Sequence, residues 1–254
     1  MVNNHQAVTV RELSKVYVGR QGSVEALREA TLDVPSGSFV SLVGPSGCGK
    51  STLLKIIGGL ITKTAGTVLV DGREVTGPQS GVGIMFQTPV LFPWRTILQN
   101  LLLPTEVYGL KKEDYVDKCL KLLDMTGLSQ FSKAYPRELS GGMQQRAALC
   151  RVLAYDPELL LLDEPFGALD EFTRERMNLE VLRMWHLNNP AIVFVTHNVG
   201  EAVFLSDTVC VMTPCPGCVA KIIEIDLPRP REVTLMKTRR YADYVFEIRE
   251  ILGV

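Results

Sequence analysis

The chain has 254 residues, a length that suits one large globular domain or one domain with a subdomain. Hydrophobic residues make up 46% and charged residues 22%, so a sizeable core can be buried and gross disorder is not expected. The formal net charge of -1 provides no overall basic field, which argues against nucleic acid as a partner.

Apolar runs in the sequence are short, and none approaches the ~18 residues needed to span a bilayer. The longest runs, at 159–162 and 191–195, have the length of buried strands. Residues 1–5 are polar and lack the apolar segment of a signal peptide. We therefore expect a cytoplasmic chain that reaches any membrane through a partner.

Cysteine usage also fits the cytoplasm, where free thiols are the default. Cys215 and Cys218 have the C-x-x-C spacing of redox or metal sites, but no second pair and no nearby histidine accompanies them. Since a zinc site needs more ligands, a turn carrying two thiols is the favoured interpretation.

The first predicted elements form the opening unit of an α/β fold. Alternating segments at 8–13 and 29–34 predict strands, and Pro35-Ser36-Gly37 predicts a turn. The continuous apolar run at 39–43 predicts a strand buried on both faces. A glycine-rich turn follows it, and residues 50–58 are predicted to be helical.

Further strands are predicted at 67–70, 82–86, 159–163, 191–196 and 208–213. Several of them end in polar residues, and ligands of open α/β sheets lie at the carboxyl ends of the strands.

The middle of the chain, from about 93 to 155, is mostly helical in pattern. Apolar residues recur there at helical spacing: Tyr115, Val116, Cys119, Leu120, Leu122 and Leu123. Pro136 interrupts the pattern and a new helix starts near Ser140. We interpret residues 90–155 as a helical subdomain inserted into the α/β core.

A C-terminal tail, residues 236–254, contains one more predicted helix. Its apolar face consists of Tyr241, Tyr244, Val245, Ile248 and Leu252. Packing on its own domain is favoured over a membrane-surface helix, because the polar face mixes charge signs.

Residues 44–51, GPSGCGKS, fit the phosphate-loop pattern G-x-x-x-x-G-K-[ST]. Glycines allow the backbone N–H groups to approach phosphate oxygens, and the following helix adds its positive end. Lys50 would reach the outer phosphates and Ser51 would ligate Mg²⁺. The predicted nucleotide contacts of this segment are Gly44, Pro45, Ser46, Gly47, Cys48, Gly49, Lys50, Ser51 and Thr52. A plain glycine turn is a weak alternative between a buried strand and a helix.

Two adjacent acids, Asp163 and Glu164, end the apolar strand that begins at residue 159. Carboxylates at such a position are costly unless they bind something, and beside a phosphate loop the partner is Mg²⁺. Asp163 would hold the ion, directly or through water, and Glu164 would polarise an attacking water. The alternative is a strand that simply exits to solvent.

Residues 139–146, LSGGMQQR, separate transport ATPases from kinases, GTPases and helicases. Ser140 can cap the helix that follows, which leaves Gly141 and Gly142 with exposed backbone N–H groups. This is a second anion site, far in sequence from the first.

With these motifs the chain resembles the ABC ATPase family over nearly its whole length. LSGGMQQR is similar to the family's signature motif. The resemblance implies a P-loop NTPase core with an antiparallel β subdomain and an inserted helical subdomain, within a domain spanning 1–235. It also implies roles for Tyr17 in stacking on adenine, Gln87 in sensing Mg²⁺ and water, Ala168-Leu169-Asp170 in crossing a dimer interface, and His197 in contacting the γ-phosphate.

The implied mechanism is a homodimer that sandwiches two ATP molecules, each also contacted by Ser140, Gly141 and Gly142 of the opposite copy. The residues implied in catalysis are Glu164, His197 and Lys50. Those implied at Mg²⁺ are Ser51, Gln87 and Asp163. ATP binding would then join the two copies, and hydrolysis would release them.

Within the family, the sequence resembles importer subunits that are encoded apart from their permease. Residues 91–100 and 224–231 are similar to the nitrate, sulfonate and taurine importer ATPases. The resemblance places the permease contact near Phe92 and Trp94, although Trp94 is as well explained as a core residue of the helical subdomain. It implies a location on the inner face of the membrane, an indirect link to an extracytoplasmic binding protein, and a small sulfur- or nitrogen-containing anion as solute.

Three rival functions share parts of this pattern. ABC ATPases of DNA repair or of ribosomes usually carry long coiled-coil insertions or two ATPase halves, and this sequence has neither. A metabolic kinase does not account for the signature stretch. A pure binding module does not need Glu164 and His197 beside a complete phosphate loop.

Overall fold

The computed structural model describes residues 5–20 and 22–253. Most of the polar N-terminal stretch and the last residue of the predicted tail lie outside the described residues. The strands are β1 Gln6–Gly19, β2 Gly22–Pro35, β3 Phe39–Val43, β4 Ala65–Val70, β5 Arg73–Glu74, β6 Val82–Met85, β7 Leu159–Asp163, β8 Ala191–Val195, β9 Thr208–Met212 and β10 Val219–Glu224. The α-helices are α1 Lys50–Ile57, α2 Ile97–Leu101, α3 Leu103–Val107, α4 Glu113–Met125, α5 Gly141–Leu153, α6 Glu171–Asn188, α7 Val199–Leu205 and α8 Arg239–Leu252.

Two sheets form the framework. The antiparallel sheet has the order β2-β1-β4-β5, and the larger sheet has the order β10-β9-β3-β8-β7-β6. In the larger sheet β6, β7, β8, β3 and β9 are parallel neighbours, and β10 is an antiparallel edge strand. Strands β3, β7 and β8 are buried at every residue, as their continuous apolar runs predict. This arrangement confirms the predicted fold class.

The hairpin of β1 and β2 is much longer than the two predicted strands. Register shifts interrupt its pairing near Glu12 and Glu29, whose φ angles are 48° and 46°. A bulge adds one residue and breaks the period-two alternation of apolar and polar residues. The strands predicted from that alternation are therefore shorter than β1 and β2.

The helices α2 to α5 lie between β6 and β7, where the inserted helical segment is predicted. Ile97, Leu123 and Ala147, from α2, α4 and α5, share one buried apolar cluster. The prediction that Leu120 belongs to the apolar face of α4 is wrong. Leu120 lies outside this cluster and is 40% exposed. The core alternative for Trp94 is also wrong, since that side chain is 69% exposed in the loop before α2.

The tail helix α8 packs on the rest of the chain. Ile248 is fully buried in a cluster with Val43, Val199 and Val211, and Tyr244 and Val245 pack against the same cluster. Of the helices in the described residues, none combines the length and apolarity that crossing a bilayer requires.

Candidate nucleotide-binding and hydrolysis site

Three neighbouring strands deliver the predicted site residues to one edge of the larger sheet. Strands β3, β8 and β7 run parallel, and Val195 is paired with Leu42 on one side and with Asp163 on the other. The carboxyl ends of these strands therefore lie side by side. The segments that follow them carry the phosphate loop, His197 and Glu164.

The phosphate loop joins β3 to the first residue of α1. Gly49 has φ 97°, and a Cβ there would lie 2.6 Å from Ala26 O, so only glycine fits at the position where the helix begins. At Gly47, with φ 76°, no atom of the described chain lies within 4 Å of a Cβ built there. The loop is thus a backbone cradle open on one side, which fits a polyphosphate.

Lys50 and Tyr17 approach this cradle from two sides. The Lys50 ammonium donates to Gly44 O at 2.8 Å and to Pro45 O at 2.9 Å, so the charge lies over the loop. The Tyr17 hydroxyl lies 3.4 Å from Thr52 Oγ1, and the residue is 42% exposed. A partly exposed tyrosine at the rim of the loop is suited to stacking on a planar base, and the Lys15 ammonium lies 4.9 Å from its ring centroid.

Oxygen ligands for a hard cation lie beside the loop. Ser51 Oγ donates to Asp163 Oδ1 at 2.8 Å, and Asp163 is only 3% exposed. Burial raises the pKa of Asp163 against the opposing effect of the Ser51 hydrogen bond. A buried carboxylate beside a hydroxyl is a donor set that fits Mg²⁺.

Glu164 follows Asp163 directly in sequence and contacts two other predicted site residues. Its Oε2 accepts from Gln87 Nε2 at 3.1 Å and lies 3.4 Å from His197 Nδ1. Its backbone is left-handed, with φ 46°, and its N–H donates to Val195 O at 2.9 Å. Strained non-glycine residues of this kind cluster at functional sites. Gln87, Glu164 and His197 therefore converge although they are distant in sequence.

The signature segment has the predicted cap but lies apart from the phosphate loop. Ser140 Oγ accepts from Met143 N at 3.4 Å, and Gly141 is exposed at the start of α5. Within the described residues, no hydrogen bond joins 140–142 to the loop at 44–52 of the same copy. One chain thus presents two separate anion-binding segments.

Gln145 links the signature helix to the catalytic residues, and no pattern in the sequence predicts this contact. Its Nε2 donates to Gln87 O at 3.3 Å, so the signature helix α5 is bonded to the residue beside Glu164. Gln145 is 1% exposed. A polar residue on a helix is ordinarily read as solvent-facing, and only the packing of α5 against the segment after β6 reveals the contact.

The turn that contains Cys215 and Cys218 lies against the phosphate loop. Gly217 N donates to Ala26 O at 3.1 Å, and a Cβ at Gly217 would lie 1.8 Å from Cys48 O. Both cysteines are free thiols, and the described residues contain no group of three or more His, Cys, Asp or Glu that could hold a metal. The structure agrees with a turn. Glycine is required at position 217 because the turn approaches the phosphate loop too closely for a side chain.

Gly217→Ala is expected to weaken ATP binding several-fold and to lower the melting temperature. The methyl group overlaps a backbone carbonyl of the phosphate loop, and overpacking of this kind costs about 1–3 kcal/mol. Isothermal titration of ATP and thermal unfolding measure the two effects. Gly77→Ala is the matched control, since among the described residues a Cβ built at Gly77 meets no neighbouring atom within 4 Å. Unchanged affinity in Gly217→Ala would show that the turn does not set the loop position.

A phosphate cradle at the end of β3, with acids at the end of a neighbouring parallel strand, defines a P-loop nucleotide hydrolase. The family model described as "ABC transporter" matches residues 27–167. The chain belongs to the ABC transporter family, as an ATP-binding subunit with ATPase activity. The resemblance drawn from the sequence is confirmed.

Curated relatives match along most of their length. An uncharacterized ABC transporter ATP-binding protein of Methanocaldococcus jannaschii is 45% identical over 94% of this chain and 90% of the relative. The nitrate import ATP-binding protein of Synechocystis sp. is 45% identical, with 90% and 86% covered. The aliphatic sulfonates import ATP-binding protein of Bacillus cereus is 43% identical, with 88% of each chain covered.

Solved structures show the same fold. A bacterial ABC transporter cassette in a dimeric structure is 30% identical, with a TM-score of 0.79 over 87% of this chain and all of that one. The same cassette in a post-hydrolysis state bound to ADP and Pi has a TM-score of 0.78.

Proposed function

We propose that this chain is the ATP-hydrolysing subunit of an ABC importer that powers uptake of a small solute through a separate permease. The observation that carries the hydrolysis is the convergence of Gln87, Glu164 and His197 beside the phosphate loop. The import direction and a solute of the nitrate or sulfonate type are supported by the names of the curated relatives, whereas the taurine type rests on the sequence resemblance alone.

The proposed chemistry assigns one task to each residue of the site. The cradle and Lys50 bind the phosphates, and Ser51, Asp163 and Gln87 would hold Mg²⁺. When bound, the ion neutralises charge on the phosphate oxygens. Glu164 accepts a proton from the attacking water, and His197 donates a hydrogen bond towards the γ-phosphate.

The second half of the proposed site comes from another copy. Ser140 to Gly142 form an exposed helix start that makes no hydrogen bond to the phosphate loop of its own chain within the described residues. A second copy can bring this segment to the nucleotide, and the 30% identical cassette has a dimeric structure. ATP would then stabilise the closed dimer, because its phosphates are shared by both chains.

The surface around Trp94 is the proposed docking site for the permease. The Trp94 ring packs against the half-buried Phe92 ring at an interplanar angle of 48°, with centroids 5.1 Å apart. Val107 and Tyr108, which are 68% and 42% exposed, line a shallow apolar groove with Arg151. Arg151 Nη1 donates to Val90 O, on the segment that runs from Gln87 to Trp94. A partner seated here would therefore touch the segment that carries Gln87.

The chain would lie on the inner face of the cell membrane, linked through the permease to an extracytoplasmic binding protein, with no nucleic-acid partner. The proposed division is an ATPase domain at 1–235 with a helical subdomain at 90–155 and a tail at 236–254. A soluble ABC ATPase not coupled to transport is the alternative.

Co-purification from the native host tests the transport assignment. The tagged chain is solubilised with the membranes in mild detergent, and a polytopic permease at roughly equal stoichiometry is expected. Trp94→Ala should lower the permease yield, because it removes the aromatic anchor. Phe246→Ala is the matched control, since Phe246 is 67% exposed on the distant α8.

Recovery of the chain only from the soluble fraction, without a membrane protein, would exclude the importer function. Equal permease yields with Trp94→Ala and Phe246→Ala would instead reject this docking surface alone. The ATPase activity of the isolated chain should be the same in both variants, since neither side chain lies at the nucleotide site.

A further inference from the structure

Glu201 is a buried carboxyl group close to His197 that the proposed chemistry does not use. It lies in the first turn of α7 and is 7% exposed. The Thr196 hydroxyl donates to Glu201 Oε2 at 2.5 Å. Burial raises the pKa of Glu201, against the effects of this hydrogen bond and of the nearby Arg174. Such a group is costly to bury, so it needs an explanation beyond filling space.

Thr196, Asn198 and Glu201 form a closed ring of hydrogen bonds around the segment that carries His197. Asn198 N donates to Thr196 Oγ1 at 3.0 Å, and Glu201 N donates to Asn198 Oδ1 at 3.0 Å. In an ordinary capping box the glutamate at N3 bonds the N-cap N–H directly. Here the Thr196 hydroxyl stands between them, so both neighbours of His197 in sequence are tied to one buried carboxyl group.

The ring also adjoins the predicted catalytic carboxylate. Glu201 and Thr196 line a small cavity together with Glu164, His197 and Arg174. Thr196 N donates to Leu42 O at 3.2 Å, which fixes the ring to the end of β3. The side chain of His197 is 59% exposed and has little packing of its own to hold it. Its position relative to Glu164 therefore depends on its backbone.

We propose that Thr196 and Glu201 are positioning residues that fix the backbone on both sides of His197 and so hold the imidazole against Glu164. This inference rests on the proposed function, because it requires His197 to take part in hydrolysis. The ring acts through His197 and does not touch the nucleotide. Its loss should therefore lower kcat for ATP hydrolysis and leave KM nearly unchanged.

Thr196→Val tests the ring, because it removes the hydroxyl while keeping the shape of the side chain. We expect kcat of the full-length chain to fall by about 10-fold, since misplaced catalytic groups lose rate steeply. KM for ATP should stay within about 2-fold of wild type. Thr196→Ser should restore kcat. Glu201→Gln keeps an acceptor for the Thr196 hydroxyl and should retain most of the activity, whereas Glu201→Ala should not.

A double-mutant cycle separates positioning from simple loss of stability. In the His197→Ala background, Thr196→Val should have no further effect on single-turnover hydrolysis. Thr126→Val is the stability control, because the buried Thr126 hydroxyl donates to Leu122 O at 2.9 Å in the helical subdomain. That variant should lower the melting temperature with kcat unchanged.

Independent, multiplicative effects of Thr196→Val and His197→Ala would overturn the inference, as would wild-type kcat in Thr196→Val. Wild-type hydrolysis in His197→Ala would instead remove the assigned role of His197, and the inference with it. The steady-state and single-turnover rates are measured well below the melting temperature of every variant, so that partial unfolding does not lower the rate of hydrolysis.

Discussion

Glu164→Gln is expected to bind ATP, to lose hydrolysis by about 10²–10⁴-fold, and to accumulate as an ATP-dependent dimer. The amide keeps the size of the side chain but cannot accept the proton of the attacking water. Its oxygen can still accept from Gln87 Nε2, so the local geometry should persist. Phosphate release measures the first effect, and light scattering after size-exclusion chromatography with ATP and Mg²⁺ measures the second.

The control for this variant lies at the other end of the same strand. Glu158→Gln changes an exposed carboxylate immediately before β7 and should behave as wild type. Hydrolysis at the wild-type rate in Glu164→Gln would show that Glu164 is not the general base. Lost hydrolysis without a stable dimer would leave that role intact but contradict a site shared by two copies.

Lys50→Ala is expected to weaken ATP binding by about 10- to 100-fold and to abolish measurable turnover, because a hydrogen bond to a charged group contributes about 1.5–3 kcal/mol. The ammonium lies over the loop, where its bonds to Gly44 O and Pro45 O place it above the cradle. Titration of the chain with ATP and Mg²⁺ measures the affinity directly.

Lys63→Ala is the companion variant, since it removes a lysine that pairs with Glu74 on the antiparallel sheet. It should bind ATP normally. Equal affinities of Lys50→Ala and wild type would mean that the cradle binds phosphate through its backbone alone. Loss of binding in both variants would point to misfolding, which circular dichroism detects.

The parts of the fold that the sequence predicts best are those set by local pattern. Strands β3, β7 and β8 are apolar at nearly every position, and the polar residues at their ends mark the edge of the sheet where ligands lie. The length of the β1–β2 hairpin was not predicted, because the bulges near Glu12 and Glu29 interrupt the alternation that reveals a strand.

The site follows the same division. Motifs that are contiguous in sequence predict the phosphate loop, the acids and the signature segment. Contacts across long sequence separations do not: Gly217 against Cys48, and Gln145 on Gln87, depend on how elements pack. The ring at Thr196 was missed for another reason, since a threonine beside a predicted histidine carries no signal of its own until the direction of the Glu201 side chain is known.

The bond from Gln145 to the backbone of Gln87 has a mechanical consequence in a closed dimer. The amino end of α5 would then contact the nucleotide held by the other copy, while Gln87 faces the copy's own Glu164. In such a dimer, a rotation of α5 would shift the backbone of Gln87 through this bond, and the Gln87 side chain donates to Glu164. The segment that contacts one ATP would therefore be linked mechanically to the catalytic carboxylate at the other ATP.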